Sequence, residues 1–337
     1  MRNAFRRAAA EELDHLSTTN APESDRPILV TGGAGFVGST LVSQLLAAGR
    51  RVVVYDSFFT GTRPPVTAGL TAIEGDMRDA ELLRSTLRDC APADVVHLAA
   101  LHYIPYCDAH PADTMAVNVA GTQALLEACR QANVSRLVFA SSAAVYGVSS
   151  EPHGEDARIE PQDVYGLSKR FGEEQVAAFH RQTGTPCVVA RLFNVFGRGE
   201  TNPHVIPEIL RQLREHPDTL NLGNVDARRD YVHVTDVAAA MRLFLGSEAP
   251  GCRTYNVGTG VSASVAEIVA ALGAALGHRI TIEQSADKLR PVDRPNLQAD
   301  NARIRADFAW APRVTLAEGL RDLLSEAPRA ASANLRP

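Results

Sequence analysis

The feature that most constrains the fold of this chain is a regular alternation between short apolar runs and longer amphipathic stretches. Six of the short runs are predicted strands: PILVT (27–31), RVVVY (51–55), TAIEG (71–75), DVVHL (94–98), RLVFA (136–140) and PCVVA (186–190). Apolar strands that alternate with helices are typical of a parallel sheet covered by helices on both faces. The sequence therefore predicts an α/β fold built on a doubly wound parallel sheet.

The alternation changes after about residue 194, which predicts a smaller second domain. Helices are expected at roughly 203–215, 264–276 and 301–325, with only short strands between them. The predicted boundaries give residues 27–193 and about 231–262 to the first domain, and 194–230 and 263–330 to the second. Residues 1–26 mix acidic and basic side chains without an apolar segment, so we expect a tail or a short surface helix rather than a signal peptide.

Charge and cysteine usage exclude several classes of function. The net charge of −5 gives no basic surface for nucleic acid or an anionic membrane. The five cysteines are scattered without a CxxC or Cys/His cluster, which argues against a disulfide framework or a metal site and favours the reducing cytoplasm. No apolar run approaches the roughly 18 residues of a membrane span.

A glycine-rich turn, TGGAGFVG (31–38), joins the first strand to a helix. Gly32, Gly35 and Gly38 permit a tight turn and the close approach of a diphosphate to backbone N–H groups, although glycine-rich turns are also common as purely structural features. Asp56 ends the second strand, where a carboxylate can accept from an adenosine ribose and would repel a 2′-phosphate, so NAD is favoured over NADP. Asp76 and Met77 close the third strand, where they could bracket an adenine.

Tyr165 and Lys169 lie four residues apart in YGLSK and share one face of a predicted helix. An ammonium group beside a phenol favours phenolate, so Lys169 is expected to lower the pKa of Tyr165. The preceding strand ends in SSAAVYG (141–147). The residues alone leave open which of Ser141 and Ser142 faces the tyrosine.

The chain resembles the extended short-chain dehydrogenase/reductases, and within them the nucleotide-sugar epimerases typified by UDP-galactose 4-epimerase. The resemblance covers roughly residues 27–325 and is carried by ordered motifs: TGGAGFVG, Asp56, GDMRD, HLAA, NVAGT, SSAAVYG, YGLSK, RLFNVFG, RRDYVHVTD and YNVGTG. It implies a Rossmann-type sheet with a smaller α/β C-terminal domain that binds the substrate.

The resemblance also implies the roles of individual residues. Tyr165 would be the catalytic base, Lys169 its electrostatic partner, and Ser142 the hydroxyl that bridges to the substrate. Ser142 is favoured over Ser141 because the family's catalytic Ser or Thr lies four residues before the tyrosine of VYG, here Tyr146.

Two sets of binding residues follow from the same resemblance. The expected NAD-binding residues are Gly32, Gly35, Phe36, Val37, Gly38, Asp56, Ser57, Asp76, Met77, Leu98, Ala99, Ala100, Asn118, Tyr165, Lys169 and Phe193. The expected sugar-nucleotide-binding residues are His102, Ser142, Tyr165, Asn194, His204, Val205, Arg229 and Arg290. Arg229 and Arg290 would clamp the diphosphate, which a guanidinium can meet bidentately.

Ala143 and Ala144 narrow the reaction type. Nucleotide-sugar dehydratases of this superfamily carry Asp-Glu at these positions, and related decarboxylases usually carry a Glu there. Elimination of water needs an acid and a base beyond the tyrosine, whereas reversible hydride transfer does not. An epimerase acting through a 4-keto sugar is therefore the leading hypothesis.

Several alternatives stay open from the sequence. The unusual segment LHYIPYCDAHP (101–111) places His102 and Tyr103 near the sugar, and Leu297 stands where UDP-galactose epimerases carry a tyrosine. LGNVDARRD and LRPVDRP are similar to GDP-sugar members, so base and sugar identity are undetermined. A net reductase or dehydrogenase and a non-catalytic dinucleotide sensor remain as rival functions.

Two helical patterns in the sequence bear on how the chain assembles. The helical patterns at roughly 111–132 and 165–183 are apolar over more than one stripe, as interface helices are. The family commonly pairs these helices across a two-fold axis, so the resemblance implies a homodimer.

Overall fold

The structure is a computed structural model that describes residues 25–200, 202–246, 251–285, 288 and 294–325. The tail expected at 1–26 therefore lies almost entirely outside the described residues, as does Arg290.

The strands occupy the apolar runs, each within one or two residues of its predicted bounds where a prediction was made. In chain order they are β1 Ile28–Thr31, β2 Val52–Asp56, β3 Leu70–Glu74, β4 Asp94–His97, β5 Arg136–Ser142, β6 Cys187–Leu192, β7 Asn194–Phe196, β8 Thr219–Leu222, β9 Arg228–His233, β10 Cys252–Val257, β11 Ser262–Ser264, β12 Thr281–Gln284 and β13 Asn296–Leu297.

Seven strands form one parallel sheet in the order β10-β6-β5-β4-β1-β2-β3. The strand order reverses between β1 and β4, which leaves a crevice at their carboxyl ends. Ligands of open α/β sheets bind at such a reversal. The predicted parallel sheet is confirmed. Its reversal of strand order between β1 and β4 indicates where a ligand would bind.

Helices cover both faces of this sheet. In chain order the helices of the whole described structure are α1 Phe36–Ala47, α2 Ala80–Cys90, α3 Ile104–Ala109, α4 Pro111–Met115, α5 Gly121–Ala132, α6 Val164–Thr183, α7 Val205–Glu215, α8 Val234–Leu245, α9 Val265–Leu276, α10 Ala302–Phe308 and α11 Leu316–Leu324, of which α7, α9 and α11 pack beside the smaller sheets instead. A π-helical turn, Ala116–Ala120, joins α4 to α5, so residues 111–132 form nearly one continuous rod.

Alternate residues of β1 enter different cores, which is the signature of a doubly wound sheet. Leu29 belongs to the cluster that includes Leu83 of α2 and Val176 of α6. Its neighbour Val30 belongs to the cluster that includes Leu41 of α1 and Met241 of α8. Because successive strand residues face opposite sides, a strand apolar throughout needs a helical layer on each face.

The remaining strands form two smaller sheets beside the large one. β9 pairs with β7, β11 and β13, and β8 pairs with β12. Their apolar residues form a third cluster, which includes Ile209 of α7 and Ile268 of α9. This arrangement agrees with the smaller α/β part expected at the carboxyl-terminal side.

The single helix predicted over roughly 301–325 is wrong, since the chain forms α10 and α11 separated by a loop. Ala309 has a φ of 50° in the left-handed region, and Pro312 follows in the loop. The Asp236 carboxylate accepts from the backbone N–H of Arg313 and of Val314 at 3.0 Å each, and holds the loop in place. Within the described residues, no helix is both long enough and apolar enough to cross a membrane.

Candidate active site

The glycine-rich turn lies at the crevice between β1 and β4. Gly32 has a φ of 70°, and a Cβ there would stand 2.6 Å from the backbone nitrogen of Ala99 in the loop after β4. A Cβ on Gly38 would stand 2.1 Å from the carbonyl oxygen of Gly32. Glycine at these positions lets the turn pack directly on its neighbours.

The amino terminus of α1 fits an anionic ligand. Gly35 caps the helix without a side chain that accepts from its N–H groups, and the first turn contains no acidic residue. Free N–H groups at a helix start, together with the helix dipole, favour a phosphate. The turn therefore fits the diphosphate of a dinucleotide.

Asp56 is fixed at the end of β2 by two backbone bonds. Its Oδ2 accepts from Ala34 N at 2.9 Å and its Oδ1 accepts from Phe58 N at 2.8 Å. Burial raises the pKa of this carboxyl while both bonds lower it. Each oxygen keeps a lone pair that can accept from a ribose hydroxyl.

The other residues expected near the adenine and along the cofactor differ in what they contact. The Asp76 carboxylate accepts from Arg78 Nη2 at 2.6 Å, which lowers the pKa of Asp76, and Met77 is buried in the core. Asn118 donates from Nδ2 to Leu101 O at 2.8 Å and to Ser168 Oγ at 2.9 Å. Asn118 therefore links the loop after β4 to α6 through hydrogen bonds.

Ser142, Tyr165 and Lys169 come together between the end of β5 and the first turns of α6. The Ser142 and Tyr165 side chains share a hydrogen bond. Lys169 Nζ donates to Ala140 O at 2.8 Å and lies 5.8 Å from the centroid of the Tyr165 ring. A partly exposed phenol, a hydroxyl bonded to it and an ammonium group one helical turn away can move a proton to and from a bound hydroxyl.

The prediction that Lys169 lowers the pKa of Tyr165 is wrong for the protein without NAD or substrate. Burial raises the pKa of Tyr165, and the hydrogen bond from Ser142 is what lowers it. The ammonium of Lys169 is directed at the Ala140 carbonyl, and burial lowers its own pKa to about 8. Burial is the largest influence on the pKa of Tyr165, and Lys169 is not among the groups that shift it.

The two serines of SSAAVYG face opposite sides of β5. Ser141 Oγ donates to Glu173 Oε1 at 2.5 Å, while Ser142 Oγ accepts from Ala144 N at 3.1 Å and meets Tyr165. Neighbouring strand residues diverge in this way because the side-chain period is two. Ser141 therefore faces the protein interior, where Glu173 accepts its hydrogen bond.

Ala143 and Ala144 begin a buried 3₁₀ turn, Ala143–Val145. Their carbonyls accept from Arg294, at 3.4 Å for Ala143 and 3.1 Å for Ala144. Arg294 was not predicted as a site residue. It lies about 150 residues later in the chain, and no sequence pattern indicates this contact. The alanine methyl groups put no acid or base beside Ser142.

The residues expected near the sugar are joined by two side chains that the sequence did not single out. Asn202 Nδ2 lies 2.8 Å from His102 Nε2, and Glu200 contacts His204 Nδ1. The Tyr103 and His204 rings are 5.8 Å apart. Burial lowers the pKa of His102 to about 4, so this imidazole is neutral near pH 7.

The other residues discussed for the substrate side lie outside this cluster of His102, Tyr103 and His204. Arg229 Nη1 donates to Arg228 O at 2.8 Å and to Arg294 O at 2.7 Å, which holds it beside the SSAAVYG turn. Leu297 packs in a buried cluster with Phe193 and Tyr146. Asn194 begins β7 and Val205 begins α7, so they start successive elements after β6. Among the described residues, no group of His, Cys, Asp and Glu is arranged to hold a metal ion.

The sequence of this chain is similar to a known protein family and to proteins of known activity. The model of the NAD dependent epimerase/dehydratase family matches residues 28–258. The chain is 34% identical over 312 residues to the UDP-glucose 4-epimerase of Azospirillum brasilense, covering 87% of this chain and 89% of that protein.

Two solved structures are similar over nearly the whole fold. One is the UDP-glucose 4-epimerase of Thermus thermophilus in complex with NAD, with a TM-score of 0.79 at 35% identity, covering 88% of this chain and 96% of that one. The other is MoeE5 in complex with UDP-glucuronic acid and NAD, with a TM-score of 0.79 at 33% identity, covering 87% of this chain and 96% of that one.

Proposed function

Since the chain belongs to the NAD dependent epimerase/dehydratase family, we propose that it is an NAD-dependent nucleotide-sugar 4-epimerase, an isomerase that acts through a transient 4-keto sugar. The observation that carries the proposal is the trio of Ser142, Tyr165 and Lys169 beside two alanines, with Lys169 buried and the other two partly exposed. The trio suits proton transfer, and the alanines offer no second acid or base for elimination. The relatives named UDP-glucose 4-epimerase support the same reaction.

NAD would be held along the carboxyl ends of β1, β2 and β4. The free N–H groups at the start of α1 suit its diphosphate, and Asp56 suits the adenosine ribose. The other expected NAD contacts are Phe36 and Val37 at the start of α1, Ser57 after β2, and Leu98, Ala99 and Ala100 after β4. Bound NAD supplies a reversible hydride acceptor for the C4 carbon of the sugar.

Tyr165 takes the proton of the C4 hydroxyl as that carbon is oxidised and returns it when the carbon is reduced from the opposite face. Ser142 orients the hydroxyl through the bond it already shares with Tyr165. Tyr165 must be a phenolate to take this proton, and the Lys169 ammonium, 5.8 Å from the ring centroid, would stabilise that phenolate. Burial excludes water from the 4-keto sugar.

We assign the sugar-nucleotide side to the part of the chain after β6. Arg229, and Arg290 from outside the described residues, would bind the diphosphate, while His102, Asn194, His204 and Val205 would surround the sugar and nucleotide. A UDP-hexose is the substrate that the relatives' names favour. The division at about residue 194 into an NAD-binding and a substrate-binding domain belongs to this proposal.

Location and assembly also belong to the proposal. All five cysteines are free thiols, as in proteins of the reducing cytoplasm. Leu167 and Phe171 are 37% and 39% exposed and lie four residues apart on α6. These apolar side chains support a homodimer formed through α6 and the rod at 111–132.

The purified protein tests the reaction class. An epimerase carries tightly held dinucleotide and interconverts UDP-glucose and UDP-galactose without added reductant, so we expect NAD in the denatured extract and turnover with no net change at 340 nm. A panel of UDP-, GDP-, CDP- and dTDP-sugars, with product stereochemistry read by NMR, identifies the base and sugar. Stoichiometric consumption of NAD(H) or NADP(H) for each product would instead assign a reductase or dehydrogenase.

A further inference from the structure

The face of α6 that carries Tyr165 and Lys169 continues to Glu173, one turn further along the helix. Residues four apart share a helix face, so the three side chains form one row. Glu173 is 7% exposed, so its carboxylate lies in the interior beneath the reacting groups. The reaction as described above does not use it.

Three hydrogen bonds hold this carboxylate. Arg191 of β6 donates to it bidentately, from Nε to Oε1 and from Nη2 to Oε2, both at 2.8 Å. Ser141 donates to Oε1 at 2.5 Å. Arg191 is 5% exposed and also donates to the hydroxyl of Tyr146 at 3.0 Å. Buried, bidentate ion pairs of this kind fix geometry strongly.

The bond from Ser141 links Glu173 to the catalytic end of β5. Ser141 lies between Ala140, whose carbonyl accepts from Lys169 Nζ at 2.8 Å, and Ser142, which meets Tyr165. Fixing Ser141 therefore fixes both the acceptor of the ammonium and the hydroxyl beside the phenol.

We propose that Glu173 is a positioning residue for the epimerase reaction: through Ser141 it sets the end of β5 against α6, and its carboxylate, one helical turn from Lys169, stabilises the Lys169 ammonium. The proposal rests on the proposed function for its effect on turnover. Its effect on Lys169 is independent of which reaction the protein catalyses.

The other titratable groups around Lys169 do not supply that negative charge. Burial raises the pKa of the Cys107 thiol of α3 to about 11, and lowers the pKa of His97 to about 3 and of His102 to about 4, so all three are neutral near pH 7. Glu173 is a group that raises the pKa of Lys169 against the effect of burial.

Arg191, Asp163 and Cys252 also face members of this row. Burial raises the pKa of Tyr165, so the phenol is neutral in the protein alone. Arg191 is the cation that Glu173 balances, at 2.8 Å. Removing the carboxylate charge therefore leaves Arg191 without its ion pair and takes away a negative charge that raises the pKa of Lys169.

Lysine NMR tests the electrostatic part directly, because the sequence has only two lysines, Lys169 and Lys288. Protein labelled with ¹³C at lysine Cε should give two titrating signals, and Lys288 is the internal reference. In Glu173→Gln we expect the Lys169 midpoint to move down by about one pH unit, since the negative charge that favours the ammonium is lost. The alkaline limb of kcat should move down with it.

Glu174→Gln is the matched control. Glu174 is the next residue of α6, with a side chain 58% exposed and paired to Arg170 on the surface. Its substitution should leave both the Lys169 midpoint and the kcat profile in place. Arg191→Gln should move the midpoint in the opposite direction, because it leaves Glu173 without its cation.

Ser141→Ala tests the positioning part and keeps every charge, and it is mild enough to fold if the charge variants do not. We expect a loss of kcat of roughly threefold or more with KM and the pH profile unchanged, since small misplacements of reacting groups are costly. An unmoved Lys169 midpoint in Glu173→Gln, or a wild-type kcat in Ser141→Ala, would overturn the proposal. If the protein proves not to be an epimerase, the lysine titration still decides the electrostatic part.

Discussion

Tyr165 meets Ser142 through a side-chain hydrogen bond that lowers the pKa of the phenol. Replacing Tyr165 with Phe keeps the ring and removes the group that takes and returns the C4 proton. We expect a loss of turnover of about 10²–10⁴-fold, the usual contribution of a positioned acid or base. Binding of UDP, measured by calorimetry, should be retained.

Tyr106→Phe serves as the control for that substitution. Tyr106 of α3 stacks on His110 with ring centroids 4.3 Å apart and has no assigned role in the reaction. Its loss of a hydroxyl should leave turnover near wild type. Near-full turnover of Tyr165→Phe would remove the tyrosine from the mechanism.

Single residues show which parts of the site the sequence could predict. Tyr165 and Lys169 are four apart in one helix, so their shared face is a local property that the sequence contains. Arg294 contacts Ala143 and Ala144 across about 150 residues, and Asn202 meets His102 across 100. Such contacts depend on how the sheets pack, which no local pattern reports. The pKa of Tyr165 was mispredicted for the same reason, because the extent of burial is a tertiary property.

At the scale of elements, the reaction depends on how closely α6 lies against β5. A Cβ on Gly172 of α6 would stand 2.4 Å from Cζ of Phe139 on β5. Gly172→Ala should therefore push the helix that bears Tyr165 away from the strand that bears Ser142. We expect a destabilisation of about 1–3 kcal/mol, as for overpacking elsewhere, and a larger relative loss in kcat.

Gly246→Ala provides the comparison for thermal unfolding and kcat. Gly246 follows α8 with a φ of −87°, and a Cβ there would meet nothing closer than 3.7 Å. This variant should match the wild type in both measurements. If Gly172→Ala behaves in the same way, the spacing of α6 and β5 is more tolerant than we infer.

Six strands of the large sheet were predictable because each is a compact apolar run between turns, whereas β10, with the sequence CRTYNV, was not predicted. The elements after β6 were harder, because their strands are only two to six residues long and their apolar faces are completed by distant partners. The break between α10 and α11 shows the limit: amphipathic spacing continues across it, yet Pro312 and the Asp236 contacts end one helix and begin another.

For the whole molecule, the proposed homodimer can be tested at α6. Phe171 is 39% exposed on the same helix as Tyr165 and Lys169. Phe171→Glu would place charges opposite each other across a two-fold axis, so we expect light scattering to show the monomer mass at micromolar concentration and kcat to fall as α6 loses its support.

Glu174→Gln, which removes a charge from the same helix, should remain a dimer and act as the control. A wild-type protein that is monomeric and fully active would show that the apolar side chains of α6 serve another purpose.

The position of β10 has a consequence for how the chain is made. β10 pairs with β6 at the edge of the large sheet, yet about 60 residues separate the two strands in sequence, and those residues build much of the smaller sheets. During synthesis β6 is therefore an uncovered edge until the ribosome has passed residue 257. An exposed edge strand invites pairing with other nascent chains. Truncations before β10 should consequently be prone to aggregation even though they retain every residue of the proposed proton-transfer trio.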